Sequence, residues 1–121
     1  MLHLFEKPIA LAPADIPDAP HALRITIPEN HMGHFQDQAF VYRLQDQTCG
    51  FINRCPHVNV PLDLDDGLFF DLTELLICRM HGARFDPLTG ARLTGPAPHG
   101  LYKLQIETRP EKTLILGWVK S

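Results

Sequence analysis

"ICRMHGARFDPLTG", residues 77–90, is the stretch on which the reading of this chain turns. It ends an apolar run with Cys78 and His81, three apart, and follows the histidine at once with Gly82. Alone, a Cys-x-x-His means little. Upstream, "NRCPHVN" (53–59) sets Cys55 and His57 two apart, with twenty residues between His57 and Cys78. Each pair stands where a strand-like run meets a Gly- or Pro-bearing turn. Two loops at strand tips can converge, each offering one thiolate and one imidazole. Such soft donors suit zinc or iron–sulfur centres, not magnesium or calcium. Spacing alone leaves three readings open. The residues could be buried cysteines and surface histidines placed together by chance. They could hold a tetrahedral structural zinc. Or two thiolates could hold one iron of a [2Fe–2S] centre and two imidazoles the other.

The flanking sequence reads as short strands: "RITI" (24–27), "AFVYRL" (39–44), "GFIN" (50–53), "LLICRM" (75–80), "YKLQIET" (102–108) and "TLILGWV" (113–119). Turn segments separate them: "QDQTCG" (45–50), "LDDG" (64–67), "PLTG" (87–90) and "RPEK" (109–112). The last two runs, four residues apart, predict a hairpin. Residues 5–22, punctuated by proline, read as extended chain without a strand. The only helix candidate is "PENHMGHFQDQ" (28–38). Many short strands with Gly/Pro turns predict an all-β fold, a small antiparallel sandwich or barrel.

Composition sets further bounds. At 121 residues a single domain over 1–121 is expected. A net charge of −3 argues against nucleic acid, which needs a basic face. No basic, apolar leader opens the chain, and apolar runs of four residues are too short to span a membrane. A cytoplasmic location is expected. Three cysteines, an odd number, favour metal or redox use over a disulfide framework.

The surroundings of the two pairs separate the readings. The pattern C-x-H, spacer, C-x-x-H-G resembles that of the Rieske family. The match continues through "HGARFDPLTG" (81–90), and "LTGPAP" (93–98) is similar to the proline loop that covers the family's cluster. The resemblance spans about residues 54–100. It implies a cluster-binding subdomain of two ligand loops plus that proline loop, holding one [2Fe–2S] cluster. Cys55 and Cys78 would bind the inner iron, and His57 and His81 the outer iron nearer solvent. Neutral imidazoles leave the oxidised centre uncharged, so it accepts an electron more readily than an all-cysteine cluster.

Departures from the family pattern refine the expectation. Members of quinol-oxidising complexes cross-link the ligand loops by a disulfide, where this chain has Val60 and Met80. They also place serine and tyrosine hydroxyls near the cluster, where this chain has Ala83 and Phe85. A low potential follows, within a family range of roughly −150 to +300 mV. The chain looks like a soluble Rieske ferredoxin. Such a protein is a monomeric one-electron carrier, not an enzyme, between a flavin-dependent reductase and a terminal oxygenase. Alternatives are a small subunit like that of nitrite reductase, a redox-sensing module, or a structural zinc protein.

His31, His34 and Asp37 could mimic a two-His-one-carboxylate iron site, but read better as a polar surface turn. His3, His21 and His99 read as loop histidines, with His99 beside the proline loop. Cys49 reads as a turn-end thiol next to Gly50. Asp63, Asp65, Asp66, Asp71 and Glu74, between the ligand loops, read as a solvated edge or a patch steering a basic partner. Arg54, Arg79 and Arg84 flank the ligands and mix the charge there.

Overall fold

The computed structural model describes residues 2–27, 38–56, 60–64 and 66–120. The described residues form nine strands: β1 Leu2–Leu11, β2 Leu23–Thr26, β3 Gln38–Leu44, β4 Gln47–Ile52, β5 Leu76–Ile77, β6 Arg84–Phe85, β7 Arg92–Thr94, β8 Tyr102–Thr108 and β9 Thr113–Lys120. All pairings within the sheets are antiparallel. Six strands form a large sheet in the order β1-β9-β8-β4-β3-β2, and three form a small one, β5-β6-β7. The all-β antiparallel expectation holds.

Strand β3 explains how the two sheets share one scaffold. Side chains alternate across a strand. Phe40 and Tyr42 point into one core with Cys49, Phe51, Phe69, Phe85, Cys55 and Cys78. Ala39 and Val41 point into a second core with Ile52, Leu104 and Ile115. With an apolar core on each side, residues 39–42 are all buried, which is why the run "AFVY" has no polar alternation. Phe69 stacks on Phe40 with centroids 4.0 Å apart, and Phe70 meets Tyr42 edge-on at 5.0 Å. These pairs, each contributing about 0.5–1.5 kcal/mol beyond burial, anchor the segment between the ligand loops onto β3.

Several sequence expectations change. Residues 5–22 include most of β1, which pairs only with β9 at the sheet edge. An edge strand tolerates Pro8, and its register shifts between Leu4 and Ile9. His3 accordingly lies on a strand, stacked on Trp118 at 5.3 Å, and not in a loop. The turn placed at 45–50 shrinks to Gln45 and Asp46, both at positive φ (51° and 62°), as a two-residue hairpin turn requires. Cys49 is therefore a buried mid-strand residue on β4, not a turn-end thiol. The run 75–80 keeps strand pairing only at Leu76–Ile77, which releases Cys78 into a loop. The 109–112 hairpin joins β8 and β9 as expected. The helix candidate falls mostly on residues 28–37, outside the described residues, as do His31, His34 and Asp37.

Candidate metal centre

Both cysteine loops leave the end of a strand and close in the same way. The Cys55 N–H donates to the Val60 carbonyl at 2.9 Å, and the Cys78 N–H to the Ala83 carbonyl at 2.8 Å. In the second loop Gly82 donates back to the Cys78 carbonyl at 2.8 Å. Gly82 holds φ at +78°, and a Cβ there would meet nothing within 4 Å. At a positive φ that side-chain-bearing residues rarely adopt, glycine supplies the backbone conformation this turn needs. A close approach occurs at Gly95 in the third loop, where a Cβ would lie 2.5 Å from the Ala83 Cα. The third loop thus lies directly on the second, and its Ala97 is buried in the core that holds both cysteines.

Cys55 and Cys78 are in no disulfide and are 2% and 0% exposed. Their side chains hydrogen-bond to each other. That contact and burial push the Cys78 thiol up, while backbone N–H groups of Met80 and His81, aimed at its sulfur, act in the opposite direction. Paired thiols ringed by amide donors fit two thiolates sharing a metal, with hydrogen bonds tuning the sulfur. His81, from the same loop as Cys78, is exposed. Among the described residues, no three His, Cys, Asp or Glu side chains converge at metal-binding distance. His57 lies outside the described residues. The structure thus unites the two cysteines and sets His81 on the solvent side of one of them. Val60 packs half-buried against the core and Met80 is 45% exposed, so the two positions read as cross-link sites carry neutral apolar side chains.

Cys49 does not join this centre. Its thiol is pushed up by burial, with Asp86 adding to the effect and Lys103 opposing it. Its neighbour Tyr42 is raised further by burial and donates its hydroxyl to the Pro87 carbonyl at 2.5 Å. A protonated thiol of this kind is unreactive.

The segment between the cysteine loops is a solvated acidic edge only in part: Asp66 and Glu74 are exposed, whereas Asp63 and Asp71 are drawn inward. Asp63 is fully buried. It accepts hydrogen bonds from Asn53 Nδ2 at 3.1 Å, the Gly67 N–H at 3.0 Å and Arg24 at 3.3 Å. Asn53 in turn accepts from the Leu62 N–H at 2.9 Å. Asp66 pairs with Arg79, and Asp71 with Arg84 at 2.7 Å. Most of the charge read as a steering patch is therefore spent internally. The sequence does hold a hint of this, since arginines flank both cysteines while the segment between them has none.

Asp71 makes a pH-dependent tie. Burial alone would raise its carboxyl. The Thr73 hydroxyl, Arg84 and the N–H groups of Leu75 and Thr73 outweigh that and hold it down at about 2. A depressed carboxylate stabilises the fold above its ordinary value of about 4, and that contribution is lost as pH falls through about 2. Acid unfolding of Asp71→Asn should therefore show a shallower slope than wild type between about pH 4 and 2. Identical acid profiles would mean that the Asp71 hydrogen bonds carry no net stability.

Among the described residues, no helix is long and apolar enough to cross a membrane. The family sequence model described as Rieske [2Fe-2S] domain matches residues 21–107. A comparison with curated protein sequences finds no match. Solved structures share the fold, three of them as follows. One is described as a complex of reduced oxygenase and oxidized ferredoxin in carbazole 1,9a-dioxygenase. It has a TM-score of 0.63 and 23% identity, over 95% of this chain and 98% of that one. The second is a Sphingomonas yanoikuyae B1 ferredoxin, at 0.61 and 19%, over 91% and 98%. The third is the ferredoxin of carbazole 1,9a-dioxygenase from Nocardioides aromaticivorans IC177, at 0.57 and 22%, over 96% and 100%. At these identities the likeness is one of fold.

Proposed function

Because the chain belongs to the Rieske [2Fe–2S] domain family, we propose that it is a one-electron carrier that takes electrons from a flavin-dependent reductase and delivers them to a terminal oxygenase. The whole chain is read as one such domain, monomeric and cytoplasmic, and not itself a catalyst. Family membership implies one [2Fe–2S] cluster, which when bound stores a single electron. Cys55 and Cys78 would hold the inner iron, and His57 and His81 the outer one. The observation that carries this reading is the pair of buried, mutually bonded thiols beneath an exposed His81. The thiols keep one iron away from water, while His81 lies where a partner can approach. Met80, in the Cys78 loop, and Leu93, on β7, each 45% exposed, supply apolar surface. The oxygenase is favoured as partner because the first of the solved relatives is described in complex with one.

The test is reconstitution. Added to a matched reductase and oxygenase, the protein should restore turnover that rises with its concentration and saturates. Reduced chemically and given oxygen, it should oxidise no organic substrate alone. Substrate oxidation by this chain alone would overturn the carrier reading and return attention to His31, His34 and Asp37.

Potential offers a second check. Ala83 and Phe85 pack in the core that contains both cysteines. Hydroxyls placed there by Ala83→Ser and Phe85→Tyr should donate toward sulfur and raise the midpoint potential. Unchanged potentials in both variants would place these side chains away from the cluster.

A further inference from the structure

The two cysteine loops need a tie, since each supplies half of the ligands and no disulfide joins any of the three cysteines. The positions read from the family resemblance as cross-link sites hold Val60 and Met80, which have neither charge nor thiol. Between Cys78 and His81, however, Arg79 reaches back across the gap in three ways. Its backbone N–H donates to the Leu62 carbonyl at 3.2 Å. Its guanidinium approaches the Asp63 carbonyl at 3.5 Å. The same group forms an ion pair with Asp66. Leu62 and Asp63 are themselves fixed by Asn53, next to the first ligand loop. A continuous path of polar contacts therefore runs from the Cys78 loop through Arg79, Leu62–Asp63 and Asn53 to the Cys55 loop.

We propose that Arg79 is a positioning residue that clamps the second cysteine loop to the first, and that its pairing with Asp66 sets both how long the cluster is retained and where its potential lies. The inference rests on the cluster reading above. An ion pair with side chains 37% and 40% exposed adds little to global stability. Its effect is local, because one partner stands next to a ligand cysteine. The charges act separately on the electron. A cation beside the centre stabilises the reduced, more negative state, and an anion disfavours it. Arginine suits the task because its planar fork can serve a carboxylate and a carbonyl together, which a lysine ammonium does less well.

The experiment uses the cluster-loaded protein and two readouts: loss of visible absorbance in the presence of an iron chelator, and midpoint potential. Arg79→Ala should lose its cluster several-fold faster and show a lower potential. Asp66→Asn should also lose the cluster faster but show a higher potential. Arg79→Lys should restore the potential and only part of the retention. Faster loss with opposite shifts in potential separates the clamp from general loosening, which would move both variants alike. If Arg79→Ala takes up no cluster, Asp66→Asn decides, since its substitution lies outside both ligand loops. Wild-type retention in Asp66→Asn, or potentials that move in the same direction, would overturn the proposal. A colourless wild type would instead defeat the cluster reading itself.

Discussion

Cys78→Ser should yield a colourless protein with no bound iron or acid-labile sulfide, against about two of each per chain in the wild type. Cys49→Ser should keep the full complement. Both are buried cysteines, at 0% and 3% exposure, so burial does not distinguish them. Their partners do. Cys78 faces Cys55 and receives two backbone N–H groups, an environment ready to hold a thiolate once a metal displaces the proton. Cys49 lies mid-strand, its thiol pushed up by burial, with the Gln47 carbonyl 3.9 Å from its sulfur. Iron and sulfide analysis with a visible spectrum decides the matter. A full iron content in Cys78→Ser would break the ligand assignment. A zinc-loaded, colourless wild type would break the cofactor assignment.

Asp63→Ala should cost about 3–5 kcal/mol, a large part of the roughly 5–15 kcal/mol that keeps a domain folded. The carboxylate is fully buried and accepts from donors that include Asn53, Gly67 and Arg24. Truncation leaves the Asn53 amide and the Gly67 N–H without their acceptor, at about 1–3 kcal/mol each. Arg24 is 39% exposed and can turn to water, so the ion pair itself contributes the smaller share. Asp63→Asn retains the shape and one acceptor, and should lose less. Denaturant midpoints measure both. A loss below about 1 kcal/mol for Asp63→Ala would mean that water takes over the hydrogen bonds.

The two ends of legibility are set by Cys78 and Asp63. Metal coordination fixes residue types at short spacings, so Cys55, His57, Cys78 and His81 stand out in a bare sequence. The hairpin at 109–112 was legible for a similar reason, since strand and turn are local. Burial of Asp63 is decided by Arg24, thirty-nine positions away, and by Asn53, ten away, and no local pattern records such partners. Phe69 and Phe70 were equally hidden inside an acidic run until β3 supplied Phe40 and Tyr42 to stack against. Strand β1 is hidden in the sequence because Pro8 argues against a central strand, and whether a strand lies at an edge is a property of the assembled sheet. The Gln45–Asp46 turn lacks the glycine that usually marks positive φ, so the strand beginning at Gln47 was read as loop, and Cys49 with it.

Phe51 on β4 pairs with Lys103 on β8. The chain therefore departs from the large sheet and returns to it at neighbouring points, and all three loops around the cysteines belong to that excursion. A segment whose two ends already lie side by side sits on its base as a cartridge, joined to it at two adjacent strands and by the core the two share. What the base must keep is small: the faces of Phe40, Tyr42 and Phe51 against which the cartridge seats. On this architecture the length of the excursion between the two strands can vary without breaking the pairing of the six-stranded sheet, provided that the face of Phe40, Tyr42 and Phe51 stays covered.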